Sequence, residues 1–307
     1  MKILIIGFGS IGARHFEVLS GLYPDSEILL VSAHSKHENA KFKSLNEVKD
    51  LGLYDYYVIA SETSLHEKQL REINMVARGK KILVEKPLFA QPSTFKPTNN
   101  AVFVGYNLRY NPLLEYVRNL SSKVLSVAVF TGQYLPDWRP GAEYSKSYSA
   151  SLERGGGVLL DLSHEIDYIQ NLFGSLTVIG AVGGKISDLK IDTEDYASFV
   201  GITNRQISVC VTVEYLSKIP MRIIHINTTA GTYIVDLIEG KVKIKTDSMQ
   251  KPEEINMGCE RNYTYTRMHR DIIEKNGLLA CTYEQGYSVL NVISRIKNLI
   301  GWSKYGN

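Results

Sequence analysis

The sequence predicts an α/β chain of two domains. A parallel, dinucleotide-binding domain occupies residues 1–110, and a substrate-binding and oligomerisation domain with a mostly antiparallel sheet occupies 111–307. Three observations carry this. The chain opens on the apolar run Lys2-Ile3-Leu4-Ile5-Ile6, followed at once by Gly7-Phe8-Gly9-Ser10-Ile11-Gly12. Short apolar runs then alternate with helical patterns. After Lys123 the texture changes to strand-like segments that alternate or are β-branched, joined by short turns.

The opening run suits a strand buried on both faces of a parallel sheet. Its glycines fit G-x-G-x-x-G between a strand and a helix, where each has a mechanical task. Gly7 permits the tight turn, Gly9 lets the backbone approach a pyrophosphate, and Gly12 lets the helix pack on the strand. The helix N-terminus then offers unpaired N–H groups to phosphates. A purely structural glycine turn is the alternative. Ile11, Phe16, Leu19 and Leu22 continue at helical spacing.

Glu27 to Ala33 reads as the second strand. In NAD-binding folds an acid near the end of that strand holds the ribose 2′-hydroxyl. Here Ser32 to His37 offers no acid before Glu38, whereas Ser32, Ser35 and Lys36 suit a 2′-phosphate. The cofactor expected is NADP(H) or NAD(H), with the balance towards NADP(H). A polar surface loop is the alternative.

Tyr56 to Ala60 is the third strand. Ser64 and Glu67 fit a capping box, and Leu65, Leu70, Ile73 and Val76 give the following helix an apolar face. His66 in its first turn is either a cofactor contact or structural. Lys81 to Val84 is the fourth strand and runs into Glu85-Lys86-Pro87, which places Lys86 at the carboxyl edge where ligands bind. Gln91 to Asn100 reads as a loop and Ala101 to Gly105 as the fifth strand. Asn111-Pro112 resembles an N-cap and N1 pair opening a helix to about Leu120.

Beyond Lys123 the expected strands are Val124 to Phe130, Leu176 to Val182, Tyr196 to Thr203, Gln206 to Tyr215, Met221 to Thr228, Thr232 to Leu237 and Val242 to Lys245. Helical stretches run from about Val158 to Phe173, and from about Thr266 to Ile300 with an interruption near Gly277.

Composition excludes several classes. A net charge of +3 with scattered basic residues gives no nucleic-acid footprint. Cys210, Cys259 and Cys281 are isolated, which argues against a metal site or disulfide framework and fits a reducing cytoplasm. No apolar run approaches a membrane span, and the N-terminus reads as a strand rather than a signal peptide.

Taken together, five motifs resemble the Gfo/Idh/MocA oxidoreductases, named for glucose–fructose oxidoreductase, inositol dehydrogenase and rhizopine catabolism. They are Gly7 to His15, Ala60 to His66, Glu85-Lys86-Pro87, Gly105 to Pro112, and Gly155-Gly156-Gly157 through Asp167. The resemblance implies an N-terminal Rossmann domain, a C-terminal α/β domain with a large open sheet, a nicotinamide cofactor, and sugar or cyclitol chemistry. It makes Lys86 the active-site lysine, Asp161 and His164 the acid and histidine after the triple glycine, and Asn107 and Arg109 lining residues. The expected cofactor contacts are Gly7, Phe8, Gly9, Ser10, Ile11, Gly12, Ser32, Ser35, Lys36, Ser61, His66, Glu85, Lys86 and Asn107. Three departures stand out. The Asp–His spacing is one residue short, which leaves open whether Asp161, His164 or Glu165 faces the substrate. Ser61-Glu62 replaces the usual Thr-Pro, and the Pro87–Gly105 segment is too short for the customary helix.

The residue chemistry stands beside this. Hydride transfer at a hydroxyl-bearing carbon needs a group to move the hydroxyl proton, and lysine or histidine can serve. Asp161 and His164, three apart, would share a helix face; an N-cap and a helix N-terminal histidine are the alternatives. Gln133 to Pro140, with Tyr144 and Tyr148, offers aromatic rings beside an arginine, suited to a sugar with an anionic group. Substrate contacts are therefore expected from Arg109, Trp138, Arg139, Tyr148, Asp161 and His164, with no metal. The expected activity is an NAD(P)-dependent dehydrogenase or reductase of a sugar, sugar nucleotide or cyclitol, and the resemblance implies a place in surface-carbohydrate synthesis. A non-catalytic dinucleotide or sugar sensor and an NAD-dependent glycosidase are the competing classes. A homodimer or homotetramer through the C-terminal sheet is expected, with no nucleic-acid or membrane partner.

Overall fold

The computed structural model describes residues 1–302. The helices are α1 Ser10–Leu22, α2 Thr63–Val76, α3 Pro112–Arg118, α4 Val158–Asp161, α5 His164–Phe173, α6 Tyr263–Lys275 and α7 Tyr283–Leu299. The strands of the first sheet are β1 Lys2–Ile6, β2 Glu27–Val31, β3 Ala40–Phe42, β4 Tyr56–Ile59, β5 Lys81–Val84 and β6 Ala101–Val104. Those of the second are β7 Val124–Gly132, β8 Leu176–Gly184, β9 Tyr196–Thr203, β10 Ser208–Glu214, β11 Met221–Thr228, β12 Gly231–Asp236, β13 Lys241–Thr246 and β14 Glu253–Asn256. A last short strand, β15 Cys281–Thr282, returns to the first sheet. Among the described residues no helix is long and apolar enough to cross a membrane.

The chain forms two compact units, Met1–Tyr110 with Arg261–Leu290, and Asn111–Glu260 with Asn291–Asn307. A single cut after residue 110 therefore does not describe the first unit. The later chain rejoins it because α6 packs on α1 and β15 pairs antiparallel with β6.

In the first unit the sheet order is β15-β6-β5-β4-β1-β2-β3, with β1 to β6 parallel. Ile3 to Ile6 of β1 are fully buried between β4 and β2, which explains the unbroken apolar run. The order reverses at β1, so the carboxyl ends of β1 and β4 flank the crevice where such sheets bind ligands.

Helix α2 differs from its expected start. Glu62 is the N-cap and makes no side-chain cap bond, so Ser64 lies inside the first turn. Glu67 does not close a capping box: its carboxylate accepts from Arg71 and from the Ser93 hydroxyl, each at 2.6 Å. The buried face is Thr63, His66, Leu70, Ile73 and Asn74, while Leu65 and Val76 are exposed. His66 and Asn74, which have internal hydrogen-bond partners, join Leu70 and Ile73 on the buried face in place of Leu65 and Val76. No helix follows β5 before residue 100, as the short segment implied.

The second unit carries the sheet β14-β13-β12-β11-β7-β10-β9-β8, antiparallel except for the β7–β10 pair. Asn111 caps α3 as expected, its Oδ1 accepting from the Leu113 amide at 2.9 Å, with Pro112 at N1. Helices α4 and α5 pack on one face, against β9, β10, β7 and β8. Val209, Val211, Val213, Ile224 and Ile226 point to that covered face and are buried. Across the opposite face the register aligns Val200, Cys210, Ala128, His225 and Ile234 in one row. The strands thus alternate inside and outside, and the outer row is only partly apolar.

Candidate active-site residues

The candidate cofactor contacts Gly7 to Gly12, Ser32, Ser35, Lys36, Ser61, His66, Glu85, Lys86 and Asn107 all lie in the first unit. Gly7 has φ +93°, and a Cβ there would stand 2.6 Å from the backbone of Ala60 and Ser61. A Cβ on Gly12 would meet the Gly7 carbonyl at 2.1 Å. These glycines hold the turn against β4 and let α1 start beneath it. Gly9 is different: a Cβ there would enter open space. That space lies over the first turn of α1, which has no side-chain cap and no acidic residue. A pyrophosphate fits such a cradle, met by helix N–H groups and an unopposed dipole. Phe8, Phe16 and His37 form an aromatic cluster beside it, with ring centroids 4.7–5.9 Å apart.

The loop after β2 contains no acid before Glu38. Ser32 Oγ accepts from the Ser35 amide at 3.3 Å and Ser35 Oγ from the His37 amide at 3.1 Å, so both hydroxyls shape the turn. Lys36 is exposed.

At the ends of β4 and β5, Ser61 donates to Gln69 Oε1 at 2.6 Å. His66 is buried, with Nδ1 3.1 Å from the Pro87 carbonyl and Nε2 3.2 Å from the Ser61 carbonyl. It joins the two loops that flank Lys86. Burial pushes its pKa below the ordinary imidazole value, against the pull of those carbonyls. Glu85 is buried: Oε1 lies 2.9 Å from His15 Nε2, and Oε2 accepts the Lys86 amide at 3.1 Å. Lys86 follows β5 directly, before a cis Lys86–Pro87 peptide.

Asn107 and Arg109 are more deeply engaged than lining residues need be. Asn107 Nδ2 donates to Thr264 Oγ1 at 2.7 Å, and Arg109 Nη1 donates to Gln285 Oε1 at 2.7 Å. Both are buried, and both tie the turn after β6 to the chain that returns as α6 and α7.

The second unit holds Asp161, His164, Trp138, Arg139 and Tyr148. The stretch after the triple glycine is not one helix. It breaks at Leu162 and Ser163, so Asp161 ends the single turn of α4 and His164 begins α5. The two do not share the face of a continuous helix, and Asp161 is not an N-cap. Asp161 is instead the focus of two phenols. Tyr215 donates to its Oδ2 at 2.6 Å, and Tyr148 also bonds to it. The Asp161 charge, then burial, pushes the Tyr148 phenol up; burial, then Asp161, does the same to Tyr215. Both phenols therefore keep their protons and act as donors. The Trp138 ring meets Tyr215 edge-on at 5.2 Å, and the Arg139 guanidinium lies 5.3 Å from the Tyr148 ring centre. Trp138 and Arg139 also line a cavity of about 300 Å³ with Tyr144, Lys146 and Ser149.

Glu165 takes a structural part. It is fully buried and accepts from Thr131 Oγ1 and Arg222 Nε, each at 2.9 Å. Tyr215, the donor to Asp161, is a residue the sequence does not single out. It stands just past the end of β10, and no motif marks it.

The geometry defines a class of fold: one unit with a parallel sheet behind a glycine turn, and a second with a mostly antiparallel sheet. Family models agree. Residues 1–102 match the oxidoreductase family with an NAD-binding Rossmann fold, and residues 123–234 match the Gfo/Idh/MocA C-terminal domain. The chain belongs to the Gfo/Idh/MocA oxidoreductases, the NAD(P)-dependent dehydrogenases its motifs resemble. No curated protein matches it closely enough to count as a relative. Similar solved structures include levoglucosan dehydrogenase in complex with NADH, at 16% identity and TM-score 0.83, covering 98% of this chain and 97% of that one. UDP-N-acetylglucosamine 3-dehydrogenase GnnA from Acidithiobacillus ferrooxidans is 16% identical, with TM-score 0.76 and 98% of both chains covered. The WlbA dehydrogenase from Bordetella pertussis, in complex with NADH and UDP-GlcNAcA, is 17% identical, with TM-score 0.75, covering 98% of this chain and 96% of that one. These likenesses establish the shared fold.

Proposed function

We propose that this dehydrogenase transfers hydride to or from a hydroxyl-bearing carbon of a sugar, sugar nucleotide or cyclitol, in surface-carbohydrate synthesis in the cytoplasm. The observation that carries the proposal is Asp161, held by the phenols of Tyr148 and Tyr215 beside the Trp138–Arg139 cavity. A carboxylate fixed by two donors can orient sugar hydroxyls, an aromatic edge suits a sugar or base ring, and Arg139 suits an anionic substituent. The sugar and UDP-sugar dehydrogenases among the similar structures support the same substrate class.

A bound nicotinamide supplies the hydride acceptor or donor. The Lys86 ammonium stabilises alkoxide character at the reacting oxygen or passes its proton. His164 is the proton-transfer partner, and Asp161 aligns the hydroxyls. The glycine cradle and the N-terminus of α1 hold the pyrophosphate.

A panel of UDP-sugars, free sugars and cyclitols, followed at the reduced-nicotinamide absorbance band, tests this reading. Steady, substrate-dependent change supports it. A sensor or a redox-neutral glycosidase would give none.

The preference for NADP(H) rests on the acid-free Ser32 to His37 loop and the exposed Lys36. NADPH is expected to bind more tightly than NADH, with Lys36→Ala narrowing the gap. Tighter NADH binding, indifferent to Lys36→Ala, would remove the preference.

A further inference from the structure

Behind Glu85 lies a chain of buried polar groups that the proposed reaction does not use. Glu85 Oε1 meets His15 Nε2 at 2.9 Å, His15 Nδ1 meets His269 Nε2 at 2.8 Å, and His269 Nδ1 meets the Tyr56 hydroxyl at 3.0 Å. His15 and His269 are fully buried, and Tyr56 is 1% exposed. The four groups come from α1, α6, β4 and the end of β5, all within the first unit.

Hydrogen-bond bookkeeping gives this chain a direction. A carboxylate accepts, so His15 Nε2 carries the proton facing Glu85. A neutral His15 then accepts at Nδ1, which puts a proton on His269 Nε2. His269 in turn accepts at Nδ1 from the Tyr56 hydroxyl. Every group is satisfied with both imidazoles neutral. Burial, and after it the nearness of His15, holds His269 well below the ordinary imidazole range, and burial holds Tyr56 well above the ordinary phenol range. The reverse polarity needs a second proton on His15 and turns the Tyr56 hydroxyl into an acceptor, with its own proton directed elsewhere in a buried site.

Because the Tyr56 end is closed to water, the chain is a dead end for protons. Its other end is anchored where chemistry is expected: Glu85 Oε2 accepts the Lys86 amide at 3.1 Å. There is also no room for Glu85 to retreat, since a Cβ on Gly105 would fall 2.6 Å from Oε1.

We propose that His15 and His269 are positioning residues for Lys86, forming with Tyr56 a one-way hydrogen-bond chain that fixes Glu85 against the Lys86 peptide. This rests on the assignment of Lys86 to the reaction, and it links the phosphate-cradling helix α1 to the residue that meets the substrate.

The test uses the full-length protein and needs no sugar substrate. Nitrogen NMR of ¹⁵N-histidine-labelled protein at pH 7 should show His15 and His269 neutral, each protonated on Nε2. Tyr56→Phe should shift the His269 resonances and, more weakly, those of His15. His269→Phe should speed hydrogen exchange of the Lys86 amide by about tenfold or more, leaving the β1 amides unchanged, because one link of a buried network is gone. A doubly protonated His15, a His269 proton on Nδ1, or His15 resonances indifferent to Tyr56→Phe would overturn the proposal. So would unchanged Lys86 exchange in His269→Phe, or equal acceleration at Lys86 and β1. Failure of every sugar in the panel would count against the dehydrogenase reading and leave these readouts intact.

Discussion

At the scale of residues, the histidines show how burial sorts side chains that look alike in the sequence. His66 and His269 are enclosed, and burial lowers both pKa values below the ordinary 6.5. An unfolded chain binds protons on these residues from about pH 6.5 downward, while the folded chain refuses them. Their contribution to stability is therefore complete above that pH and is lost as the pH falls. The urea midpoint should drop between about pH 7.5 and 5.5, and His269→Phe should flatten that slope. A midpoint that rises on acidification would contradict the burial argument. Lys86 and Asp161 are candidates that motifs mark in the sequence. Tyr215 and His269 were not legible there, because their partners lie 54 and 254 positions away and no local pattern records such pairings.

Elements were legible where local chemistry decides them. The run Lys2 to Ile6, the glycine turn and the Asn111-Pro112 cap all follow from short-range constraints, and the structure has each of them. Asn111→Ala should cost about 1 kcal/mol of stability, since it removes a side-chain cap. Ser64→Ala, within the first turn of α2 but not at its cap, should stay within about 0.5 kcal/mol. Chemical denaturation of the two variants makes the comparison, and an equal loss in both would mean that Ser64 caps α2 after all. Elements set by tertiary partners were harder to read. The break at Leu162 and Ser163 lies inside the stretch Val158 to Phe173, which the sequence presents as one helix with no glycine or proline to interrupt it. The edge strand β14, Glu253–Asn256, is exposed throughout and carries two charges, so it has no alternation to detect. The pair Cys281–Thr282 is a strand only because β6 lies beside it.

At the scale of the whole molecule, the second sheet bears directly on assembly. The face away from α4 and α5 exposes Val200, Cys210 and Ile234 in one register row, with Ile179 and Val182 exposed on β8. We propose that they form part of an interaction surface. We expect a second copy of the chain to cover them, giving a dimer or tetramer by light scattering at micromolar concentration, with Val200→Glu weakening it. A monomer would refute that expectation. Lys86 stands just past the end of β5, and Glu85 anchors it through its amide. The most direct measurement is Lys86→Met, compared with the wild type by cofactor titration and by steady-state kinetics on whichever sugar of the panel turns over. Turnover should fall by about 10²–10⁴-fold, the range typical of a positioned acid–base group, while nicotinamide affinity stays within a few-fold. Unchanged turnover, or lost cofactor binding with full turnover at saturation, would contradict the assignment.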